Sequence, residues 1–234
     1  YYYNLYIKMD KIFPEKIHNY FELIRLNKPI GFMLLLWPCW FSLAYLEISQ
    51  QYLLSYYIIF TIGSVIMRSA GCIINDLIDQ DIDSKIERTA TRPLASKKIT
   101  NFNAIIFLFV LLTIGLLILL QFKTETVLVG LLCTPLIILY PLMKRITFWP
   151  QLFLGIIFNW GVIICSVEFY GTITKEYLIL YLACVVWTIG YDTIYAYQDL
   201  IDDKKNSIKS TAVLFEDKGK YLVITSYASM LIMI

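Results

Sequence analysis

Apolar and polar residues occur in long alternating blocks along this chain. A helix that crosses a bilayer needs about 20 mostly apolar residues, and six stretches meet that need. They are residues 29–47, 53–75, 102–121, 126–143, 149–170 and 176–197. A seventh apolar stretch begins near Tyr221 and stops partway across a bilayer at the chain end. The pattern predicts an all-α, polytopic membrane bundle with six full spans and a truncated seventh.

Composition supports the membrane class. The chain has 234 residues and is 59% hydrophobic, whereas soluble domains average about 45–50% apolar residues. The formal net charge of +2 and the lack of a basic nucleic-acid motif exclude a nucleic-acid partner. No low-complexity linker divides the sequence, so we expect one transmembrane domain over residues 1–234, truncated at its C-terminal end.

The distribution of Lys and Arg predicts an orientation. With the amino terminus inside, the inner segments are 1–28, 76–101, 144–148 and 198–220. If Arg68 is counted with its nearest inner end, these segments hold 18 of the 20 basic residues. Positive residues favour the inner side of a membrane. We therefore expect the amino terminus and the two longest charged loops on that side.

The first acidic region, residues 75–96, reads NDLIDQDIDSKIERTATRPLAS. Asn75, Asp79 and Asp83 recur at i, i+4 and i+8, so a helix would present their oxygens on one face. Mg²⁺ prefers such hard oxygen ligands and often shares its shell with water and a substrate phosphate. The region's basic residues could hold that phosphate. The alternative is a solvated loop of mixed charge.

A second acidic region, residues 191–215, follows the sixth span. Asp192, Asp199 and Asp203 recur at i, i+7 and i+11, again along one helical face, and Asp202 flanks them. Three lysines follow: Lys204, Lys205 and Lys209. Both acidic regions fall at inner ends of even-numbered spans, which favours a shared metal–diphosphate site over two solvated loops.

Asp192 lies several residues inside the apolar stretch. A carboxylate within a membrane costs roughly 2.5–3.5 kcal/mol on insertion scales, so it is a functional candidate. The alternative is that it only forms a hydrogen bond with Thr193 or a nearby tyrosine. The sequence leaves both open.

The chain resembles the UbiA superfamily of intramembrane prenyltransferases in motifs that cover most of its length. The first acidic region matches NDxxDxxxD and RTxxRPL, and the second matches YDTxYAxxDxxDD and IKSTA. Similar stretches elsewhere are RLxKPIG at Arg25–Gly31 and YPxxKRxTxxPQ at Tyr140–Gln151. Two departures stand out: Ser207 occupies a position that is glycine in many members, and the family generally has nine spans.

The resemblance implies a bundle with a central cavity open to the inner face. It also implies Mg²⁺-dependent transfer of a polyprenyl group from polyprenyl diphosphate to the ring of 4-hydroxybenzoate, as in ubiquinone biosynthesis. Ionisation of the diphosphate would precede electrophilic substitution on the ring. The apolar span interiors would hold the isoprenoid tail and exclude water.

The resemblance also assigns residues to roles. Asp79, Asp83, Asp199 and Asp203 would be catalytic. One Mg²⁺ would bind Asn75, Asp79 and Asp83 and another Asp199 and Asp203, with Asp76 and Asp202 nearby. Candidate diphosphate contacts are Arg88, Arg92, Lys144 and Lys209. Arg25 and Asp192 are candidates for the aromatic substrate, although Arg25 could simply anchor the chain at the interface.

Several alternatives remain open at this point. The acceptor ring could belong to another compound, such as homogentisate or a haem precursor. A divalent-cation transporter and a non-catalytic member of the superfamily are other classes, although a cation pore would avoid the basic residues that follow each acidic region. Ubiquinone synthesis indicates a bacterial inner membrane or, alternatively, the mitochondrial inner membrane. We favour the bacterial one, with the active-site loops on the cytoplasmic side.

Overall fold

The computed structural model describes residues 14–46 and 50–234, with the backbone alone for residues 50 and 51. Its regular elements, within that part of the chain, are all helices. They are α1 (Glu15–Leu23), α2 (Ile30–Ala44), α3 (Gln50–Asp83), α4 (Asn101–Leu119), α5 (Thr124–Leu132), α6 (Thr134–Ile146), α7 (Pro150–Phe158), α8 (Trp160–Tyr170), α9 (Lys175–Ala196), a 3-10 turn (Tyr197–Asp199), α10 (Leu200–Lys205), α11 (Thr211–Phe215), a second 3-10 turn (Glu216–Lys218) and α12 (Gly219–Met233).

The all-α membrane prediction is confirmed. Among the described residues, five helical stretches have the length and hydropathy to cross a bilayer. They are Tyr52–Asp83, Asn101–Leu119, Thr124–Ile146, Pro150–Tyr170 and Lys175–Lys205. The predicted span 29–47 corresponds to the shorter apolar helix α2, and its last residues lie outside the described part. The chain is an integral membrane protein, and the number of spans stays a prediction.

Two predicted spans are each interrupted by a local break. Between α5 and α6, Pro135 removes a backbone donor from the helical ladder two residues after Cys133. Between α7 and α8, Asn159 leaves helical geometry (φ −95°, ψ 5°). Its amide Nδ2 donates to the Gly155 carbonyl at 2.6 Å and to Thr188 Oγ1 at 2.9 Å. A buried side chain thus lies at the break between α7 and α8.

The described residues form two compact units. Among the described residues, one unit contains 14–33 together with 62–117, and the other contains 34–46 and 50–61 together with 118–234. In the first unit, Leu23 of α1 and Leu94 pack with Ala70 and Ile73 of α3 and with Leu111 of α4. Through Leu94, this core holds the segment that follows α3 against that helix. That residues 1–234 form one domain stays a prediction.

The second unit has a core around α8 and α9. Val162, Cys165, Tyr177 and Tyr181 are buried there with Leu43 of α2. Helices α7 and α9 approach closely, because a Cβ added at Gly155 would lie 2.9 Å from the Val185 carbonyl oxygen. Only a glycine at that point permits this separation.

Glu168 is a buried carboxylate that joins three helices of the second unit. It is 4% exposed. Its Oε2 accepts hydrogen bonds from the Lys123 backbone N–H at 3.0 Å and from Thr126 Oγ1 at 2.8 Å. Its Oε1 accepts one from Tyr56 at 3.1 Å. Glu168 of α8 therefore caps the amino terminus of α5, where a negative charge also complements the helix dipole.

Candidate active site

The carboxylates of the first acidic region lie on the last turns of α3. The helix continues to Asp83, well beyond the predicted span end at residue 75, so the assumed helical spacing is confirmed. Asp76, Asp79 and Asp83 are 2%, 0% and 6% exposed. Charged carboxylates are almost never this buried unless they are paired. Their burial argues against the solvated-loop alternative.

Two arginines pair with these carboxylates. Arg25 Nη2 donates to Asp76 Oδ1 at 2.5 Å. Arg92 Nη1 donates to Asp83 Oδ2 at 2.6 Å and lies 3.4 Å from Asp76 Oδ1. The structure thus brings two predicted acidic ligands together with one predicted diphosphate contact and one predicted acceptor contact. The cluster offers both metal-binding oxygens and phosphate-binding guanidinium groups.

The segment after α3 folds back onto that helix. Thr89 Oγ1 donates to the Asp83 carbonyl at 2.9 Å, and Gln80 Nε2 donates to the Leu94 carbonyl at 3.0 Å. These bonds place Arg92 against the carboxylates, while Arg88 remains exposed. The RTxxRPL segment therefore folds back along α3 and places Arg92 next to the carboxylates of the first acidic region.

Sequence reasoning missed Arg68. It lies on α3 seven residues before Asn75, which is about two turns and about 10 Å along the same helical face. Its guanidinium packs against Gly31, because a Cβ at Gly31 would lie 2.9 Å from Arg68 Nε. The signal was present in the sequence: a charged residue within a span is a functional candidate, but Arg68 entered only the orientation count.

The second acidic region does not form the continuous helix that its spacing assumes. Helix α9 ends at Ala196, a 3-10 turn covers Tyr197–Asp199, and α10 begins at Leu200. A 3-10 turn has fewer residues per turn than an α-helix, so the turn rotates Asp199 and Asp203 relative to Asp192. That these three residues share one helical face therefore stays a prediction. All three are half-buried, as is Asp202.

Lys144 and Lys209 come together at one edge of the second unit. The Lys209 backbone N–H donates to the Lys144 carbonyl at 2.8 Å. Lys209 Nζ donates to the Ile146 carbonyl at 3.1 Å and lies 5.5 Å from the centroid of the Phe148 ring. A backbone hydrogen bond thus holds Lys144 and Lys209, two predicted diphosphate contacts, next to each other.

Ser207 has a backbone conformation that favours glycine, the residue that the resemblance led us to expect at this position. Its φ is 55°, in the left-handed region that glycine adopts at no steric cost. The turn returns the chain after α10, and the Ile208 N–H donates to the Asp203 carbonyl at 2.9 Å. Serine tolerates this geometry at a modest cost.

The donor set of the first acidic region fits Mg²⁺. No three His, Cys, Asp or Glu side chains within residues 14–46 and 50–234 gather closely enough to form a complete protein cage. Mg²⁺ does not need one, since it usually binds one or two carboxylates and completes its shell with water and phosphate. The two acidic regions lie in different units, and their convergence on one site stays a prediction.

Comparison with known proteins supplies the family. Residues 35–234 match the sequence profile of the UbiA prenyltransferase family. The chain belongs to this family. The resemblance inferred from the motifs is confirmed, and membership does not favour the transporter alternative.

Curated relatives carry names that agree with the family. A mitochondrial 4-hydroxybenzoate polyprenyltransferase of Drosophila pseudoobscura pseudoobscura is 47% identical over 214 residues, covering 91% of this chain and 54% of the relative. An Arabidopsis thaliana enzyme of the same name is 47% identical, with 91% and 53% covered. A 4-hydroxybenzoate geranyltransferase of Lithospermum erythrorhizon is 42% identical, with 91% and 69% covered. The chain thus spans about half the length of the first two.

Solved structures share the fold of this UbiA family member. A UbiA homologue from Aeropyrum pernix K1 superposes with a TM-score of 0.70 at 22% identity, covering 94% of this chain and 78% of that one. A homologue from Archaeoglobus fulgidus, described as bound to GPP and Mg²⁺, gives 0.67 at 17% identity, with 92% and 75% covered. The UbiA-like bundle prediction is confirmed.

Proposed function

We propose that this chain forms the catalytic part of a 4-hydroxybenzoate polyprenyltransferase, which transfers a polyprenyl group from its diphosphate to the acceptor ring. One observation carries the proposal: three buried carboxylates lie on one helix end, and two of them pair with two arginines from outside that helix. Such a cluster binds an anion and a divalent cation together. The names of relatives at 47% identity support the choice of substrates.

The residues of the first acidic region have distinct roles in this proposal. Asn75, Asp79 and Asp83 hold Mg²⁺, with Asp76 beside them. When bound, Mg²⁺ stabilises the negative charge that develops on the departing diphosphate. Asp199 and Asp203 hold a second ion, with Asp202 nearby. The Mg²⁺ found with a prenyl diphosphate in the Archaeoglobus homologue supports this cofactor.

Basic residues hold the diphosphate. Arg92 Nη1 lies 3.4 Å from Asp76 Oδ1 and 2.6 Å from Asp83 Oδ2, so its guanidinium lies beside the carboxylates that would hold the metal. Its planar fork can bind two phosphate oxygens at once. Arg88 extends the same positive surface, and Lys144 and Lys209 serve the second acidic region.

We place the acceptor carboxylate at Arg68 rather than at Arg25. Arg68 lies within the apolar part of α3, on the same helical face as Asn75. A span of about 10 Å between Arg68 and Asn75 suits a benzoate ring oriented toward the diphosphate. Asp192 remains a candidate for the ring side of the acceptor.

The bilayer supplies the polyprenyl chain and surrounds the helices. Exposed apolar side chains cover α4, including Phe102 and Phe109, each 70% exposed. The first relatives are named as mitochondrial enzymes. We therefore propose a mitochondrial membrane, the alternative of the two locations inferred from the sequence, with the active-site loops on the matrix side.

The proposal is tested by Mg²⁺-dependent release of diphosphate from a labelled prenyl diphosphate by the full-length protein in vesicles. Asp79→Ala and Asp199→Ala should each lower turnover by about 10²–10³-fold. Asp81→Ala is the matched control, because Asp81 is exposed, and it should stay within about twofold. Near-wild-type turnover of both first variants at limiting Mg²⁺ rules out the two-region mechanism.

The acceptor contact is tested separately. Arg68→Leu should raise the KM for 4-hydroxybenzoate by about tenfold or more, because a charge-assisted hydrogen bond is lost. The affinity for prenyl diphosphate should be unchanged, and Arg68→Lys should lose less. If Arg25→Leu raises the acceptor KM and Arg68→Leu does not, the carboxylate belongs at Arg25.

A further inference from the structure

Three buried polar residues from three motifs meet in the second unit. Gln151 is the second residue of α7, Thr193 lies near the end of α9, and Thr211 begins α11; their exposures are 3%, 0% and 0%. Gln151 Oε1 accepts a hydrogen bond from the Thr211 backbone N–H at 3.1 Å. The hydroxyls of Thr193 and Thr211 are 2.7 Å apart. We call these three residues the threonine knot.

The knot satisfies groups that would otherwise be costly to bury. The first backbone N–H groups of a helix have no acceptor within that helix. Gln151 supplies one for Thr211, and Ser210 Oγ accepts from the Val213 N–H at 3.3 Å. A backbone N–H can only donate, so the Gln151 oxygen must face it. Helix α11, which has five residues, is thus capped by Gln151 of α7 as well as by the Ser210 that precedes it.

Candidate site residues adjoin the knot on each side. Asp192 immediately precedes Thr193, and Lys209 lies two residues before Thr211. The Lys209 backbone bonds in turn to the Lys144 carbonyl at 2.8 Å. A shift of α11 relative to α9 would therefore move Lys209, and with it the edge at which the two lysines meet.

We propose that Gln151, Thr193 and Thr211 are positioning residues that hold Lys209 and Lys144 at the diphosphate end of the second acidic region. The inference rests on the proposed function, because it takes these lysines as diphosphate contacts. None of the three touches the reacting groups. Their two hydrogen bonds hold the loop 206–210 in place, and the loop in turn holds Lys209 in place.

The test compares isosteric variants of the knot. Thr193→Val and Thr211→Val keep the shape of the side chain and remove the hydroxyl, whereas Thr193→Ser and Thr211→Ser retain it. Each valine variant should weaken binding of a non-hydrolysable prenyl thiodiphosphate in the presence of Mg²⁺ by about tenfold. The acceptor KM should not change, and the serine variants should stay within about twofold. Thr225→Val, an exposed threonine of α12, is the control.

The double variant separates positioning from general stability. Because the two hydroxyls serve one bond, Thr193→Val with Thr211→Val should bind no more weakly than the worse single variant. A lower melting temperature with unchanged thiodiphosphate affinity would show a merely structural role and overturn the inference. Independent losses that multiply in the double variant would overturn it as well.

A last readout does not depend on the reaction. Gln151→Met should speed hydrogen exchange of the backbone amides of residues 209–213 by about tenfold, and unchanged exchange would refute the knot. If the wild-type protein binds no thiodiphosphate, the proposed function fails, and the exchange measurement still decides whether the knot orders the loop. The two failures are therefore distinguishable.

Discussion

The two acidic regions contain similar residues but hold them by different means. In the first, Asp76, Asp79 and Asp83 project from one unbroken helix, are at most 6% exposed, and include two that pair with arginines. In the second, Asp199 and Asp203 are half-buried. Asp199 lies on a 3-10 turn, and Asp203 lies on a six-residue helix that ends at Lys205, two residues before the left-handed Ser207. Helix periodicity orders the first region, and tertiary hydrogen bonds order the second.

This difference separates two ways of preparing a carboxylate for a metal. Burial without a partner would favour the neutral form, so the first region depends on its arginines to remain charged. The half-buried carboxylates of the second region keep part of their hydration and need less compensation. Substitutions that remove charge should therefore destabilise the first region much more than the second.

The largest effect is expected at Asp76. Asp76→Ala removes the acceptor of Arg25 and one contact of Arg92, so the free energy of unfolding should fall by about 3 kcal/mol. Asp202→Ala in the second region should change it by less than about 0.5 kcal/mol. Thermal or denaturant unfolding of the protein in detergent micelles measures both.

Asp76→Asn gives the control for size. It keeps the shape of the side chain and removes its charge, so it should lose most of the stability that Asp76→Ala loses. Equal unfolding midpoints for Asp76→Ala and Asp202→Ala would contradict the contrast between the regions.

The next effect concerns the guanidinium fork. Arg92→Lys keeps the positive charge but replaces the planar guanidinium, whose Nη1 contacts both Asp76 and Asp83, with a compact ammonium group. Turnover with prenyl diphosphate should fall by about threefold to tenfold, and stability should fall by about 1 kcal/mol. Arg88→Lys should leave the melting temperature unchanged, because Arg88 is exposed. Full activity of Arg92→Lys would remove Arg92 from the diphosphate site.

The contrast also explains how much the sequence could predict. Spans and the first acidic face follow from local rules, since hydropathy marks a membrane helix and i, i+4, i+8 spacing marks a face. The same rule does not apply directly to Asp192, Asp199 and Asp203, because a 3-10 turn interrupts the α-helix between them. Spacing alone does not show where a helix breaks.

Residues that act through tertiary contacts were the hardest to find. Glu168 caps a helix that lies far from it in sequence, and Gln151 accepts from an amide 60 residues away. No local sequence pattern around either residue indicates its partner. Arg68 differs, because its position within an apolar span was a visible signal that could have been used.

A smaller effect is expected at Ser207, where the second region depends on backbone geometry. Ser207→Gly should raise stability by up to about 1 kcal/mol, because glycine adopts φ 55° without strain. Ser207→Val should lower it by about 1–2 kcal/mol, since a β-branched residue is strained there. Ser84, whose φ is negative, is the control in the first region: Ser84→Gly should give no gain. A gain in stability at both Ser207 and Ser84 would mean that relief of backbone strain is not the cause.

The smallest effect is expected at the exposed pair of the second region. Lys204 Nζ lies 2.7 Å from Glu216 Oε1, nearly the 2.6 Å of Arg92 and Asp83, yet its side chains are 46% and 58% exposed. The hydrogen bond from Lys204 lowers the pKa of Glu216 below 4.5. A lowered pKa contributes stability above the unfolded-state value and loses it as the pH falls through the folded-state value.

Water screens this exposed pair, so the contribution at neutral pH should be too small to measure. Lys204→Met should leave the melting temperature unchanged at pH 7 and return the pKa of Glu216 toward 4.5, as followed by NMR of labelled carboxyl carbons. A clear loss of stability in Lys204→Met would mean that the N···O distance, and not burial, determines how much an ion pair stabilises the fold. The absence of a loss, beside a large one at Asp76, would show that burial distinguishes the two regions.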